Sequence, residues 1–307
     1  MKYIIQKSLF INNRNLKNKL KKIILNALCV SFCISFISLL HSSKLISAPA
    51  NRTETKKLSP EKINYIINKY EHTKIGTGAG TPCKAHLFYP AKSPKRLIIV
   101  FTSANSIGRY NLFSWFWNDN ENWDDTAYLF LKDDQECWYL GNAKQNFVPE
   151  YSDIIKHYIN ICKLQNKTFT NNNVSAIGNS MGGYAAIFYA TKLELNAAIA
   201  LNPQADKKNA LTGFKQAKNA EINWQDLDQI IKKAPKAPSV FLIYGHYPQD
   251  IAACDRLINV LKDKSPMLLV RRHDSRKHAI GHLIYSKELI EKSLNFIENQ
   301  KDFAQDS

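Results

Sequence analysis

Residues 1–50 contain no aspartate or glutamate, although eight lysines and arginines fall there (Lys2, Lys7, Arg14, Lys17, Lys19, Lys21, Lys22 and Lys44). That one-sided stretch holds half of the formal charge of +16; the other 257 residues carry 34 Lys/Arg against 26 Asp/Glu, a net of +8. The excess has no basic stripe interleaved with aromatic residues, which excludes a nucleic-acid-binding class. The six cysteines include no CxxC pair and no Cys/His spacing suited to zinc. No internal repeat and no second folded domain are visible. A composition of 45% hydrophobic and 22% charged residues excludes a disordered or collagen-like chain. At 307 residues the chain can bury a core that needs neither disulfide nor metal to hold it.

A leader accounts for the one-sided charge. Residues 23–40 are 18 uncharged positions whose only polar types are Asn and Ser, and the basic stretch 17–22 precedes them directly. Ala48 and Ala50 are small residues at the two positions a signal peptidase reads, with Pro49 between them. The segment 1–50 therefore reads as a signal peptide or an uncleaved N-terminal membrane anchor. Both readings keep the basic end in the cytoplasm and put the rest of the chain outside it, in the periplasm or beyond. Cys29 and Cys33 belong to this leader. Cys83, Cys137, Cys162 and Cys254 are scattered; in an exported domain they could form two disulfides, or serve as four small buried hydrophobes.

Residues 51–84 read as a linker and a leading helix. Ser59-Pro60-Glu61 supplies an N-cap and a proline at the first helical position, followed by Ile63, Ile66 and Ile67 at helical spacing. The GxGxG spacing of Gly76–Gly80 has no strand running into it and no helix opening from it, so it is not a cofactor loop. From residue 85 to 307 short apolar runs alternate with amphipathic stretches. Strands are expected over 95–101, 128–131, 174–177, 197–201, 239–244 and 267–270. Helices are expected over 149–165, 181–193, 222–233, 250–261 and up to about 299. Alternation of this kind predicts an α/β domain with a mostly parallel sheet covered by helices on both faces.

Gly178-Asn179-Ser180-Met181-Gly182-Gly183 lies between a short apolar strand and a helix, which is G-x-S-x-G in the context that gives it chemical meaning. A sharp strand-to-helix turn needs small residues beside the serine and holds its hydroxyl above the sheet edge. Ser180 is the candidate nucleophile, and the Met181 N–H at the helix start is a candidate oxyanion donor. An acid and then a histidine should follow in chain order. Asp250, just beyond the strand 239–244 and in a loop position, is preferred over Asp255, one helical turn further on. His246 is a surface or pocket residue. Three histidines follow the last strand: His273 has too little loop to swing over Ser180, while His278 and His282 remain as base candidates, with His278 preferred. The second oxyanion donor should come from the loop after the strand 95–101, at the backbone N–H of Ser103 or Ala104. Beyond it, Trp115, Trp117 and Trp123 stand among amides and carboxylates; they suit stacking on sugars, or core packing.

The order Phe101-Thr-Ser-Ala, Phe130-Leu-Lys-Asp-Asp, Gly178-Asn-Ser-Met-Gly-Gly, Leu201-Asn-Pro-Gln-Ala and then His278 before a terminal helix resembles a group of α/β-hydrolase-fold proteins. The group includes bacterial capsular-polysaccharide O-acetyltransferases and relatives encoded with surface-glycan genes, and the resemblance spans roughly residues 85–297. It implies a Ser180–Asp250–His278 triad acting on an acyl ester of a glycan, with no metal or redox cofactor. The capsular enzymes work in the cytoplasm with acetyl-CoA, and the leader here departs from that pattern. The expectation is therefore a serine esterase acting on an acylated carbohydrate or small ester, with O-acetyl transfer and a non-catalytic glycan- or partner-binding module as alternatives. Contact with a membrane is expected through residues 23–40 if they are not cleaved.

Overall fold

Seven strands form the central sheet in the order β3-β5-β4-β6-β7-β8-β9. In the computed structural model the described residues are 74–76, 82–84, 86–104, 110, 125–141, 151–207, 210, 221–278 and 287–305. The strands are β3 (His86–Tyr89), β4 (Arg96–Phe101), β5 (Thr126–Leu131), β6 (Val174–Asn179), β7 (Ala197–Leu201), β8 (Ser239–Tyr244) and β9 (Leu268–Arg272). All neighbours pair parallel except β3, which runs antiparallel along β5 at one edge. A separate antiparallel pair, β1 (Lys74–Gly76) and β2 (Pro82–Lys84), flanks the glycine-rich stretch, so a short strand does run into it where the sequence suggested none. The leader and the helix expected from Ser59 lie outside the described residues. Among the described residues, no helix is long and apolar enough to cross a membrane.

Strands β4, β5, β7 and β8 are buried along nearly their whole length, as a parallel sheet covered by helices on both faces requires. In β4 Leu97, Ile99 and Phe101 enter one core, and Ile98 and Val100 enter the other. On the first face lie α1 (Tyr151–Gln165), α2 (Met181–Lys192), α3 (Leu227–Lys233) and α4 (Pro248–Lys264); on the second lie Ile290 and Leu294 of α5 (Lys287–Gln305). Helix α2 has eleven buried residues of twelve. A helix apolar all round belongs in the middle of a core, and its two tyrosines satisfy their hydroxyls there: Tyr184 donates to the Gln225 carbonyl and Tyr189 to the Tyr139 carbonyl, each at 2.7 Å. Cys137, Cys162 and Cys254 are free, buried thiols, so for these three the small-hydrophobe reading holds and the disulfide reading does not. Burial pushes the Cys137 and Cys162 thiols up to about 12.

The winding of the chain selects the site. From β4 it moves outward to β5, and from β6 it moves the other way to β7, β8 and β9, so the order reverses between the adjacent strands β4 and β6. In open α/β sheets the crevice beyond the carboxyl ends at such a reversal is the binding place. Residues 102–103 follow β4 there, and Ser180 follows β6.

The turn after β5 is held by one carboxylate. Asp133 is buried and accepts from the backbone N–H groups of Gln135 (3.2 Å), Cys137 (2.8 Å) and Tyr139 (2.9 Å). Those bonds hold Glu136, Trp138 and Tyr139 at φ of 52°, 53° and 61°, left-handed values that side-chain-bearing residues resist. The Tyr139 hydroxyl in turn meets the Thr102 side chain at 2.8 Å and donates toward the Thr102 carbonyl at 3.0 Å, tying the ends of β4 and β5 together. Burial pushes the Asp133 carboxyl up to about 6, against the downward pull of its three N–H partners. The folded chain therefore holds this proton more tightly than the unfolded chain, whose aspartates titrate near about 3.9. Stability from this group should fall as pH rises from about 4 through about 6, by up to about 1.4 kcal/mol per pH unit. Asp133→Asn should remove that slope and, by facing an NH2 toward backbone donors, cost about 1–3 kcal/mol. Denaturant unfolding of both proteins across this pH range checks it; parallel profiles would contradict it.

Candidate active site

The turn from β6 into α2 is sharp because three glycines let backbones touch. A Cβ on Gly178 would lie 2.0 Å from the Gly182 carbonyl oxygen, and one on Gly182 would lie 2.4 Å from the Phe101 oxygen. A Cβ on Gly183 would come within 2.9 Å of the Leu201 oxygen. Ser180 sits at the apex with φ 55° and ψ −117°, a backbone state that costs a non-glycine residue about 1–3 kcal/mol. Two bonds hold it there: its N–H donates to the Leu201 carbonyl (2.8 Å), and its carbonyl accepts from Tyr184 N–H (3.0 Å), the first bond of α2.

The structure brings Ser180, Asp250 and His278 together. Ser180 Oγ lies 2.8 Å from His278 Nε2, and His278 Nδ1 lies 2.7 Å from Asp250 Oδ1. A carboxylate can only accept, so Nδ1 of the imidazole donates to it, and Nε2 is left to accept the serine proton. Ser180 is 4% exposed and Asp250 2%, whereas the His278 side chain is 28% exposed, so the imidazole is the member that meets solvent. Burial pushes the Asp250 carboxyl above its ordinary range, and the His278 hydrogen bond pulls it back. An imidazole held between a hydroxyl and a buried carboxylate can take up the hydroxyl proton while that oxygen forms a bond.

Asp250 is not in a loop, as its sequence position suggested. Helix α4 starts earlier, with Pro248 at its first turn, and Asp250 is an acidic residue of that turn. It thus points from a rigid element, at the helix end where a negative charge is favoured. Asp255 lies further along the same helix and has no bond to His278. Residues 273–278 have no regular structure and are stitched to the connection between β8 and α4. His246 N–H donates to the Ser275 carbonyl (2.6 Å), His273 N–H donates to the Tyr244 carbonyl (2.7 Å), and a Cβ on Gly245 would meet the Ser275 oxygen at 2.4 Å. His273 uses Nδ1 to accept from Ser275 N–H at 3.2 Å and stays with the wall of the loop. Met181 is fully buried at the start of α2, and Ser103 is half-buried just after β4. His282, Trp115, Trp117 and Trp123 lie outside the described residues. Among the described residues no cluster of His, Cys, Asp or Glu could hold a metal ion.

No protein-family model matches the chain, and no curated protein matches it in sequence. Solved structures do match it in shape. A capsule O-acetyltransferase of Neisseria meningitidis serogroup A aligns at a TM-score of 0.51 and 15% identity, over 75% of this chain and 99% of that one. A substrate-bound, fluorophosphonate-binding serine hydrolase of Staphylococcus aureus aligns at 0.50 and 13%, over 74% and 95%. A glycosylation-associated protein complex of Streptococcus agalactiae aligns at 0.52 and 17%, over 75% of this chain but 46% of the other. The chain has the α/β-hydrolase fold.

Within the α/β-hydrolase fold, the glycine contacts make a specific demand on the elbow. Gly182→Ala would force the first turn of α2 away from the Phe101 and Thr102 carbonyls. Overpacking of this kind costs about 1–3 kcal/mol, and more where the obstacle is backbone. The expected outcome is a loss of at least about 2 kcal/mol in denaturant unfolding. A fully stable Gly182→Ala protein would mean that the elbow is looser than these contacts require.

Proposed function

We propose that this chain is a serine-dependent acyl-ester hydrolase acting on an acylated glycan or a related ester. The observation that carries the reading is the run of 2.8 Å and 2.7 Å contacts from Ser180 Oγ through His278 to Asp250. In this reading His278 Nε2 takes the Ser180 proton as Oγ bonds to the acyl carbon. The carbonyl oxygen becomes an oxyanion held by the N–H groups of Met181 and Ser103. The intermediate collapses, the ester C–O bond breaks, and the imidazolium gives its proton to the departing alcohol. Water then repeats the sequence on the acyl-serine and releases the acid, while Asp250 keeps the imidazole oriented. The assembled side chains weigh against a non-catalytic binding module.

The carbohydrate side of the proposal is supported by the shape of the neighbours, one named for a capsule and another for glycosylation. The capsule enzyme's alignment over 99% of its own length also favours a second reading, in which a sugar hydroxyl replaces water as the acceptor. The chemistry at Ser180 is the same in both.

Ser180→Ala and His278→Ala should each abolish labelling by a fluorophosphonate probe and lower p-nitrophenyl acetate turnover by at least about a thousandfold, since members of such a unit fail together. Ser180→Ala should leave thermal stability intact, because it deletes one oxygen. Undiminished turnover in Ser180→Ala would end the serine-hydrolase reading. Loss in His282→Ala with retention in His278→Ala would move the base and keep the mechanism.

Location separates hydrolysis from transfer. The basic stretch 17–22 before the apolar run 23–40 supports an exported or inner-membrane-anchored chain whose catalytic domain lies outside the cytoplasm, away from acetyl-CoA. An alkaline phosphatase fusion after residue 307 should be active, and a reporter that works only in the cytoplasm should be silent there. The reverse pattern would put O-acetyl transfer first.

A further inference from the structure

We infer that Asn202 is a positioning residue for the base: its side-chain amide clamps the backbone of His278 and so sets the imidazole at Ser180. The inference rests on the serine-hydrolase reading above. Asn202 is the first residue after β7 and is fully buried. Its own N–H donates to the Ile243 carbonyl at 2.9 Å, which fixes it between β7 and β8. Its side-chain Nδ2–H donates to the His278 carbonyl oxygen. One residue earlier, the Leu201 carbonyl accepts the Ser180 N–H. The end of β7 therefore grips both partners of the Ser180–His278 contact, the nucleophile through residue 201 and the base through residue 202.

Asn202 is an awkward residue for any other purpose. Its φ is 42°, in the region that favours glycine, and Pro203 follows it. Its Oδ1 is buried with no hydrogen-bond partner among the described residues. Glycine would take this backbone state without strain and would leave no buried oxygen unpaired. Among the described contacts, the bond to His278 is what the side chain contributes. That bond reaches a stretch that needs it, because residues 273–278 lie in neither helix nor strand. The bonds from His246 and to Tyr244 hold residues 275 and 273, and Asp250 holds the imidazole; Asn202 holds the peptide of His278 itself.

Two variants test this in the full chain. Asn202→Gly removes the amide and relieves the left-handed backbone. Asn202→Asp keeps the shape and replaces the donor by an acceptor that faces the His278 carbonyl. Both should lower kcat for p-nitrophenyl acetate by about 10- to 100-fold, the range expected when a reacting group loses its placement by a fraction of an ångström to an ångström. KM should change by less than about twofold, and fluorophosphonate labelling should slow in step with kcat. The thermal midpoint of Asn202→Gly should stay at or above that of the parent. Unchanged kcat in Asn202→Gly, with Ser180→Ala inactive alongside, would overturn the positioning role and leave the hydrolase reading standing. Equal losses of kcat and thermal midpoint in both variants would assign the residue to general stability and overturn it as well. A parent chain that neither labels nor turns over ester would overturn the hydrolase reading and this inference with it.

Discussion

The first turn of α2 lies against the carboxyl ends of β4 and β7 at backbone-to-backbone distance. Glycines at 178, 182 and 183 make that possible, because any side chain there would overlap a carbonyl oxygen or the next turn of chain. The remainder of the site follows from this one approach. It forces Ser180 into its strained conformation, brings the start of a helix beside the loop after β4, and makes the Leu201 carbonyl the natural partner of the Ser180 N–H. The strain is sustained because α2 is buried on all sides and cannot back away without opening the core.

Around this fixed point the chain arranges two less regular pieces by different means. The turn after β5 is built on a buried carboxylate that collects three backbone N–H groups, and it ties itself to Thr102 through Tyr139. The stretch 273–278 has individual side-chain bonds of its own, from His273 and Ser275, and is sewn to its neighbours by main-chain bonds and by Asn202. Ser180 and Asp250 thus sit at helix starts, and His278 between them sits on a tethered loop. That division suits the proposed hydrolysis, in which the attacking oxygen and the orienting carboxylate are held by helix starts while the imidazole exchanges protons with both serine and leaving group.

Much of this was legible in the sequence, for identifiable reasons. The runs at 197–201 and 239–244 matched β7 and β8 residue for residue, because a strand buried on both faces is apolar throughout and ends where polarity returns. The Ser180 turn was legible because glycine spacing there reports a backbone contact. Strand β3 was not, since His86–Tyr89 is four residues long, begins with a buried histidine and pairs antiparallel at an edge. The helix holding Asp250 began two residues earlier than expected, at a proline whose fixed φ suits a first turn. Spacing left two histidines open after the last strand; a 2.8 Å contact is a property of the folded loop, and among the described residues it falls to His278, with His282 outside them. The contacts of Asp133 and Asn202 carried no periodic signal, because they are individual side-chain bonds to backbone groups beside positive-φ residues.

The three buried thiols have a consequence for handling the protein. Cys137, Cys162 and Cys254 are unpaired, sealed in the core and held well above the range in which a thiolate forms. For these positions the native fold has no redox state to lose: glutathione, air and the oxidising side of a membrane meet the same covalent structure. The sulfurs become reactive when the core opens, so thiol-selective labelling mapped to these three positions, apart from Cys29, Cys33 and Cys83, acts as a built-in clock for unfolding.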